Sequence, residues 1–478
     1  MLRSSIIPVV EKRSSSWIPI RNSLILLLLL TLILAPRLAA GGLDLARARR
    51  FEAAGHNADA AAAYAQAAQR IPWQPSLWEK AGINAQLGGD AQNAVVFMNK
   101  AIGREAISRQ GWLSLGVAYQ QLGDVSSAVN AWEQALPLAE AYRSLAQAER
   151  GLGDFQSAVE HWRALLALEP GDAAAHYALG LLLTASAPES ALPELMQAAR
   201  LDPGLDASVQ GLRTALNTAF LSDDQAYQFL LSGRALAALC DWDLAAEAFQ
   251  KAIAANPGYA EAWAWLGEAK QHRDQDGSAE LLEAVTLEPN SAMIQALYGI
   301  YFQRLGLPEK ALEAYRKAAD LEPQNDAWQI ALGSAYQQKG DLIAAYNCYL
   351  RAVELSPQDV IAWRALATFS VNNGVDIAST GQAAIEKLLA LAPDDWQTYD
   401  LAGQVMTALE IYPQAETYLK RALELDATQP APSLHLALVY LQKNDPSSAF
   451  PFLDQTKALD PDGPYGRQAG RLLEQYFP

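Results

Sequence analysis

Apolar and small residues recur along most of the chain in a fixed order. From about residue 41, a bulky residue is followed by Leu, by Gly or Ala and by an aromatic residue, and Gly-Asp, Ala, a second aromatic residue, Ala and Pro complete the pattern. The order returns after 34 residues in most copies. The two clearest copies are Trp112-Leu115-Gly116-Tyr119-Gly123-Asp124-Ala128-Trp132-Ala135 and Leu332-Gly333-Tyr336-Gly340-Asp341-Ala345-Tyr349-Ala352-Pro357.

Each part of the pattern has a physical reason. Gly or Ala at the eighth position and Ala at the twentieth predict two helices that approach each other closely. Gly-Asp between them predicts a left-handed residue that ends the first helix and an acid that caps the second. Proline then ends the second helix. Copies begin near residues 41, 75, 109, 139, 173, 226, 260, 292, 326, 360, 396 and 430.

These residues resemble the tetratricopeptide repeat, a helix–turn–helix unit of 34 residues. The resemblance implies an all-α fold, a right-handed superhelical α-solenoid of about twelve repeats. The apolar N-terminal run predicts one transmembrane or signal helix before the repeats. A longer loop is expected between the helices of the tenth repeat, at residues 374–381. The predicted organisation is a basic tail at 1–22, a transmembrane or signal-anchor helix at 23–40, repeats 1–5 at 41–204, an additional helical insertion at 205–225, repeats 6–12 at 226–462, and a capping helix at 463–478. In that last helix Leu472, Leu473 and Tyr476 are expected to point inward.

The N-terminal segment has a different character. Residues 22–36 are uncharged and mostly apolar, and Arg21 and Arg37 flank them. Fifteen residues span about 22 Å as a helix, less than the hydrocarbon core, so the run suits a signal peptide; counted from Trp17 to Ala40, it is long enough to cross a bilayer. We favour an uncleaved anchor, with a cleaved signal and a buried helix as alternatives. Gly41-Gly42 is expected to separate it from the first repeat.

Charge and composition exclude several classes of function. The formal net charge is −17, yet residues 1–50 carry eight bases and only two acids. A negative body disfavours nucleic acid, while the basic end suits an anionic membrane surface. No nucleotide-binding or HExxH motif occurs, so no catalytic residue, cofactor or metal is expected. Cys240 and Cys348 are expected to be small, buried and unpaired, and His161 and His176 to serve packing.

The family resemblance also implies a concave groove lined by the first helices. Glutamine amides there suit an extended peptide backbone, although Gln is also simply a good helix former. Arginines there suit carboxylates, although they also commonly pair within the protein. The set of carboxylate-clamp residues that some family members use for chaperone C-termini is not matched in the opening repeats. The groove residues expected to bind a partner are Gln86, Gln120, Arg143, Tyr177, Arg234, Gln303, Gln337 and Arg364.

These observations predict a non-enzymatic, single-pass membrane scaffold, bacterial in origin, that binds a protein or extended peptide in the groove. The layout is similar to that of the lipopolysaccharide-assembly tetratricopeptide proteins, but their C-terminal four-cysteine metal module is missing here. The positive-inside count is nearly balanced and weakly favours repeats on the extracytoplasmic side. Two alternatives stay open: a substrate-selecting accessory subunit of an enzyme such as a glycosyltransferase, and a protein secreted after signal cleavage.

Overall fold

The computed structural model describes residues 37–104 and 107–477. Helices and turns are the only regular structure in these two stretches. The chain divides into two units, Met1–Asn217 and Thr218–Pro478, and each is described separately.

The first unit is a series of antiparallel helix pairs. In each pair the first helix ends in a short turn, and the second helix runs back along it. An eleventh helix follows the fifth pair. The helices are α1 (37–53) and α2 (Asn57–Arg70), α3 (Ser76–Leu87) and α4 (Ala91–Ile102), α5 (Arg109–Gln121) and α6 (Val125–Ala135), α7 (Ala139–Leu152) and α8 (Phe155–Leu168), α9 (Ala173–Ser186) and α10 (Ala191–Leu201), and then α11 (Asp206–Ala219).

The second unit continues with seven pairs and one final helix among the residues described. They are α12 (Gln225–Ala238) and α13 (Trp242–Ala255), α14 (Ala260–His272) and α15 (Ser278–Leu287), α16 (Ala292–Arg304) and α17 (Pro308–Leu321), α18 (Asp326–Lys339) and α19 (Leu342–Leu355), α20 (Val360–Asn373) and α21 (Gln382–Leu391), α22 (Trp396–Ala408) and α23 (Tyr412–Leu425), α24 (Pro430–Gln442) and α25 (Pro446–Leu459), and α26 (Pro464–Tyr476).

Close contact between the two helices of a pair depends on the small residues of the repeat. A Cβ atom added to Gly299 of α16 would lie 2.6 Å from the ring of Tyr315 in α17, which is fully buried. Burial of a side chain of this size contributes about 2 kcal/mol to stability. The turn between the helices places one residue in the left-handed region, for example Gly340 at φ 85°. The next residue, Asp341, then accepts a hydrogen bond from the Ala344 amide and caps α19.

Neighbouring pairs stack in the same way within each unit. The second helix of one pair packs against the first helix of the next, as α4 does against α5 and α17 against α18. First helices also touch each other, as in α3 with α5 and α14 with α16. Each repeat therefore buries its apolar residues on its neighbours. The predicted all-α solenoid of about twelve helix–turn–helix repeats is confirmed.

The start of the first repeat differs from the expectation. Residues 37–53 form one continuous helix, so Gly41-Gly42 does not interrupt it. Gly41 is buried, and a Cβ there would lie 2.6 Å from Ile71 at the end of α2. Because Gly41 has no Cβ, α1 and the end of α2 approach each other closely at this point. Most of the predicted membrane segment, at residues 23–36, lies outside the described residues. None of the helices described is both long and apolar enough to cross a membrane.

Three further details correct the sequence interpretation. Tyr476 of α26 is exposed, whereas Leu472 and Leu473 pack on the core as expected. The predicted loop of the tenth repeat is partly helical, because a π-helical turn at Ile377–Gly381 leads directly into α21. Cys240 is exposed, since it occupies the left-handed turn position between α12 and α13 at φ 59°.

Candidate partner-binding face

The first helices of successive repeats form one side of each stack, which we call the first-helix face. All eight residues predicted to bind a partner lie on first helices. Gln120 and Arg234 are exposed, and the other six are half-buried. The eight residues are Gln86 in α3, Gln120 in α5, Arg143 in α7, Tyr177 in α9, Arg234 in α12, Gln303 in α16, Gln337 in α18 and Arg364 in α20.

Two of the three arginines hold the acid that caps the first helix of the next repeat. Arg143 lies 2.7 Å from Asp172, which caps α9 by accepting a hydrogen bond from the Ala175 amide. Arg364 lies 2.5 Å from Asp395, the cap of α22. Although burial opposes it, the hydrogen bonds from Ala175 and Arg143 lower the pKa of Asp172. These arginines therefore connect adjacent repeats.

Arg234 is the most accessible of the three. Its side chain is 41% exposed and lies 3.2 Å from Glu261, in the first turn of α14. The guanidinium group also lies 5.6 Å from the ring centre of Trp265, a distance at which cation–π attraction operates. Arg234 is thus held in place by an acid and a ring while much of its charge still faces solvent.

Two of the predicted glutamines are hydrogen-bonded to the second helix of their own repeat. Tyr315 donates to Oε1 of Gln303 at 2.8 Å, and Tyr349 donates to Oε1 of Gln337 at 3.2 Å. Gln303 also donates to Ser334 in the next first helix, at 2.7 Å. In the second and third repeats the corresponding second-helix residues are Met98 and Trp132, which offer no hydroxyl group to Gln86 and Gln120.

The structure adds a cluster that the sequence analysis did not include. Glu268 in α14 is 5% exposed and accepts two hydrogen bonds from Arg304 at the end of α16, at 2.6 and 2.8 Å. His272 Nε2 lies 3.1 Å from the same carboxylate, and its ring stacks on Trp242 at 3.8 Å between centroids. The signal in the sequence was an acid and a base 36 residues apart, close to one repeat.

The same kind of bridge joins first helices elsewhere. Asp400 in α22 pairs with His435 in α24 at 2.7 Å. Glu52 in α1 accepts from Asn84 in α3 at 3.2 Å. Because these polar groups form hydrogen bonds and ion pairs with one another, they connect the first helices of successive repeats.

The remaining histidines bind acids within their own repeats. His161 lies 2.7 Å from Glu149, and His176 lies 2.6 Å from Glu194. Burial raises the pKa of Glu149, and its hydrogen bond with His161 partly opposes that rise. Among the residues described, no three side chains are arranged to hold a metal ion. Cys240 and Cys348 are both free thiols.

A cleft of about 430 Å³ lies between the second helices α4 and α6 of the first unit. Trp112, Leu115 and Tyr119 of α5 form its apolar floor, and amide side chains such as Asn130 line its rim. This cleft is separate from the first-helix face.

Comparison with known proteins identifies the repeat. The tetratricopeptide-repeat family matches residues 143–206 and 230–292. The CABIN1 N-terminal domain matches residues 309–412. No curated protein matches the sequence. The chain contains tetratricopeptide repeats, as its sequence pattern predicts.

Solved structures with a similar fold are distant in sequence. The APC/C hetero-tetramer Cut9-Hcn1 is 16% identical, with a TM-score of 0.40 over 94% of this chain and 99% of that chain. Yeast Tom70 is 15% identical, with a TM-score of 0.42 over 91% and 95%. A tetratricopeptide repeat protein from Parabacteroides merdae is 15% identical, with a TM-score of 0.42 over 52% and 98%. At these TM-scores the likeness carries no information about function.

Proposed function

We propose that the protein is a non-enzymatic scaffold whose first-helix face binds an extended segment of a partner protein. Residues 23–40 attach it to a membrane as a single-pass anchor, with the repeats on the extracytoplasmic side of a bacterial envelope. The tetratricopeptide-repeat family supports a role in protein binding. The face that binds the partner, the membrane anchor and the location in the envelope are part of the proposal.

The exposed guanidinium group of Arg234 is the observation that carries the binding site. It is fixed by Glu261 and Trp265, so binding a ligand carboxylate or carbonyl group costs little side-chain entropy. Arginine beside a large aromatic ring is also a common combination at energetic hot spots.

Gln337 in α18, three repeats further along the second unit than Arg234 in α12, adds an amide group to this face. Gln337 accepts from Tyr349 through Oε1, and within the described residues its amide nitrogen has no hydrogen-bond partner. A glutamine amide nitrogen carries two donors. Two donors separated by three repeats suit the carbonyl groups of an extended peptide better than a compact ligand.

Peptides selected from a random displayed library test this site. We expect Arg234→Ala to weaken a selected peptide about tenfold or more, because truncating a hot-spot residue costs about 2 kcal/mol or more. Arg421→Ala is the matched control, since Arg421 also pairs with an acid, Glu424 at 3.0 Å, and lies 6.0 Å from an aromatic ring, that of Tyr399. Its side chain is 45% exposed, but it belongs to the second helix α23.

The control should leave peptide affinity unchanged, and both variants should keep the helix content of the wild type. Equal affinity of the Arg234 variant and the wild type would reject the site. A loss confined to Arg421→Ala would instead place binding on the second helices.

Membrane attachment is tested separately by alkaline extraction of native membranes and N-terminal sequencing of the extracted chain. An intact N-terminus in the membrane pellet supports an anchor. A mature protein that begins near Gly41 and is released into the supernatant supports the secreted alternative.

A further inference from the structure

The exposed side of α1 corresponds to the side of α3 that is covered by the preceding helix pair. Leu77, Ala81 and Asn84 of α3 are 5%, 0% and 2% exposed, because the first helix pair packs on them. The corresponding residues of α1, 34 positions earlier, are Leu43, Arg47 and Arg50. Leu43 is 72% exposed, and both arginines are exposed.

This side of α1 is basic as well as uncovered. Asp44 does not offset its charge, because Asp44 pairs with Arg70 of α2 at 2.5 Å. Trp73, which follows α2, is 56% exposed. It stands two residues after Ile71, which packs on Gly41, so it lies near the N-terminal end of α1. We call Leu43, Arg47, Arg50 and Trp73 the N-terminal rim.

The position of the rim in the chain points to one kind of partner. The uncharged apolar run ends at Pro36, and residue 37 already belongs to α1, which Gly41 fixes against α2. A helix rises 1.5 Å per residue, so Leu43 lies about 9 Å along α1 from residue 37, where the described helix begins. That distance is within the sum of the thickness of the lipid headgroup region and the Debye length in physiological salt.

The chemistry of the rim agrees with its position. Tryptophan and arginine are the side chains that commonly occupy membrane–water interfaces. After residue 50 the chain carries 28 bases and 51 acids, so a negative lipid surface would repel most of the protein.

We propose that the N-terminal rim docks on an anionic lipid surface, so that the first repeat stands directly on the bilayer. The proposal rests on the membrane attachment proposed above for residues 23–40. It adds that the repeats are oriented by contact with the headgroups rather than tethered through a flexible spacer.

Site-specific fluorescence on the full chain tests the contact. Cys240→Ser removes the exposed thiol, and burial raises the pKa of Cys348 to about 11, so that thiol reacts slowly with maleimides at neutral pH. An environment-sensitive probe is then placed at Leu43→Cys. The matched control is Ile343→Cys in α19, because Ile343 is 78% exposed and lies on a second helix, outside the N-terminal rim.

The labelled protein is reconstituted into phosphatidylcholine vesicles with and without phosphatidylglycerol, each containing a headgroup nitroxide quencher. We expect quenching at residue 43 in the anionic vesicles, weaker quenching in the neutral vesicles, and none at residue 343. Arg47→Gln and Arg50→Gln should each lower the ratio of docked to undocked protein about fivefold, because one base near an anionic surface contributes about 1 kcal/mol.

Flotation of the vesicles separates this proposal from the one on which it rests. If the protein fails to float with either vesicle, the anchor and the rim are both rejected. If it floats but residue 43 is quenched no more than residue 343, the anchor stands and the rim is rejected. Docking on anionic lipid is also rejected if residue 43 is quenched equally in neutral and anionic vesicles and if neither Arg47→Gln nor Arg50→Gln changes that quenching. Shielding of residue 43 from iodide in a lipid-free preparation rejects it too, since the same chain or a second copy would then cover the rim.

Discussion

The first and second helices of the repeats use their charged residues in different ways. On the second helices, several ion pairs join residues three or four positions apart on the same helix, as in Lys317 with Glu313 and Arg351 with Glu354, both at 3.1 Å. On the first helices, several ion pairs join different repeats, as in Arg143 with Asp172 and Arg304 with Glu268. The side chains of Glu313 and Glu354 are 71% and 64% exposed, whereas the side chain of Glu268 is 6% exposed.

This difference assigns different roles to the two faces. An exposed pair on one helix contributes about 0.3 kcal/mol and chiefly keeps the surface soluble. A buried acid that loses its partner costs several kcal/mol. Charges on the first-helix face therefore set how firmly adjacent repeats are joined, and they also limit which of these residues a ligand reaches.

The bridge between α14 and α16 offers the largest expected effect. Arg304→Ala should lower the free energy of unfolding by about 3 kcal/mol, because among the described residues it leaves the buried Glu268 carboxylate with His272 as its one remaining hydrogen-bond partner. Arg351→Ala, which breaks a pair within α19, should cost less than about 0.5 kcal/mol. Urea unfolding followed by circular dichroism measures both.

A double variant checks that the loss comes from the buried charge. Arg304→Ala combined with Glu268→Gln should recover part of the lost stability, because the charge is then removed together with its partner. Equal losses for Arg304→Ala and Arg351→Ala would contradict the distinction between the two faces.

The bridge between α7 and α9 should have an intermediate effect. Arg143 lies within 4 Å of Glu140, Glu169 and Asp172, and its side chain is 25% exposed. We expect Arg143→Ala to cost about 1 to 2 kcal/mol, the usual range for hydrogen bonds between charged groups that are partly buried.

Arg163→Ala is the matched control for this bridge. Arg163 is exposed on α8 of the same repeat and forms no ion pair with any described residue. The control should stay within about 0.5 kcal/mol of the wild type. A loss as small for Arg143→Ala would show that its bridge contributes nothing to joining the repeats.

The sequence predicts the repeats well because their positions follow from short-range rules. Gly299 faces Tyr315 and Gly340 ends α18 for reasons visible within one repeat. The bridges are harder to predict, since they depend on where two helices of different repeats meet. Arg143 and Arg234 were predicted as groove residues, yet nothing in the sequence alone shows that Asp172 and Glu261 hold them. Whether any of the eight residues binds a partner stays a prediction.

Glu416 sharpens the comparison because it belongs to both patterns. It lies on the second helix α23 and pairs with Lys420 on the same helix at 2.7 Å, but it also accepts from Tyr440 of α24 in the next repeat, at 2.7 Å. Hydrogen bonds from Lys420 and Tyr440 lower the pKa of Glu416 to about 2 from an ordinary value of 4.5. A lowered pKa means that the ionised group stabilises the fold above about pH 4.5 and that this contribution is lost as the pH falls towards 2.

We expect Glu416→Gln to cost about 1 kcal/mol at pH 7 and the difference from the wild type to shrink between pH 4.5 and 2, as measured by urea unfolding across that range. Glu424→Gln, which loses only the exposed pair with Arg421 within α23, should cost less than about 0.5 kcal/mol. If the two variants behave alike at every pH, the link from Glu416 to α24 adds nothing, and a second-helix acid stabilises the stack no more than any other exposed charge.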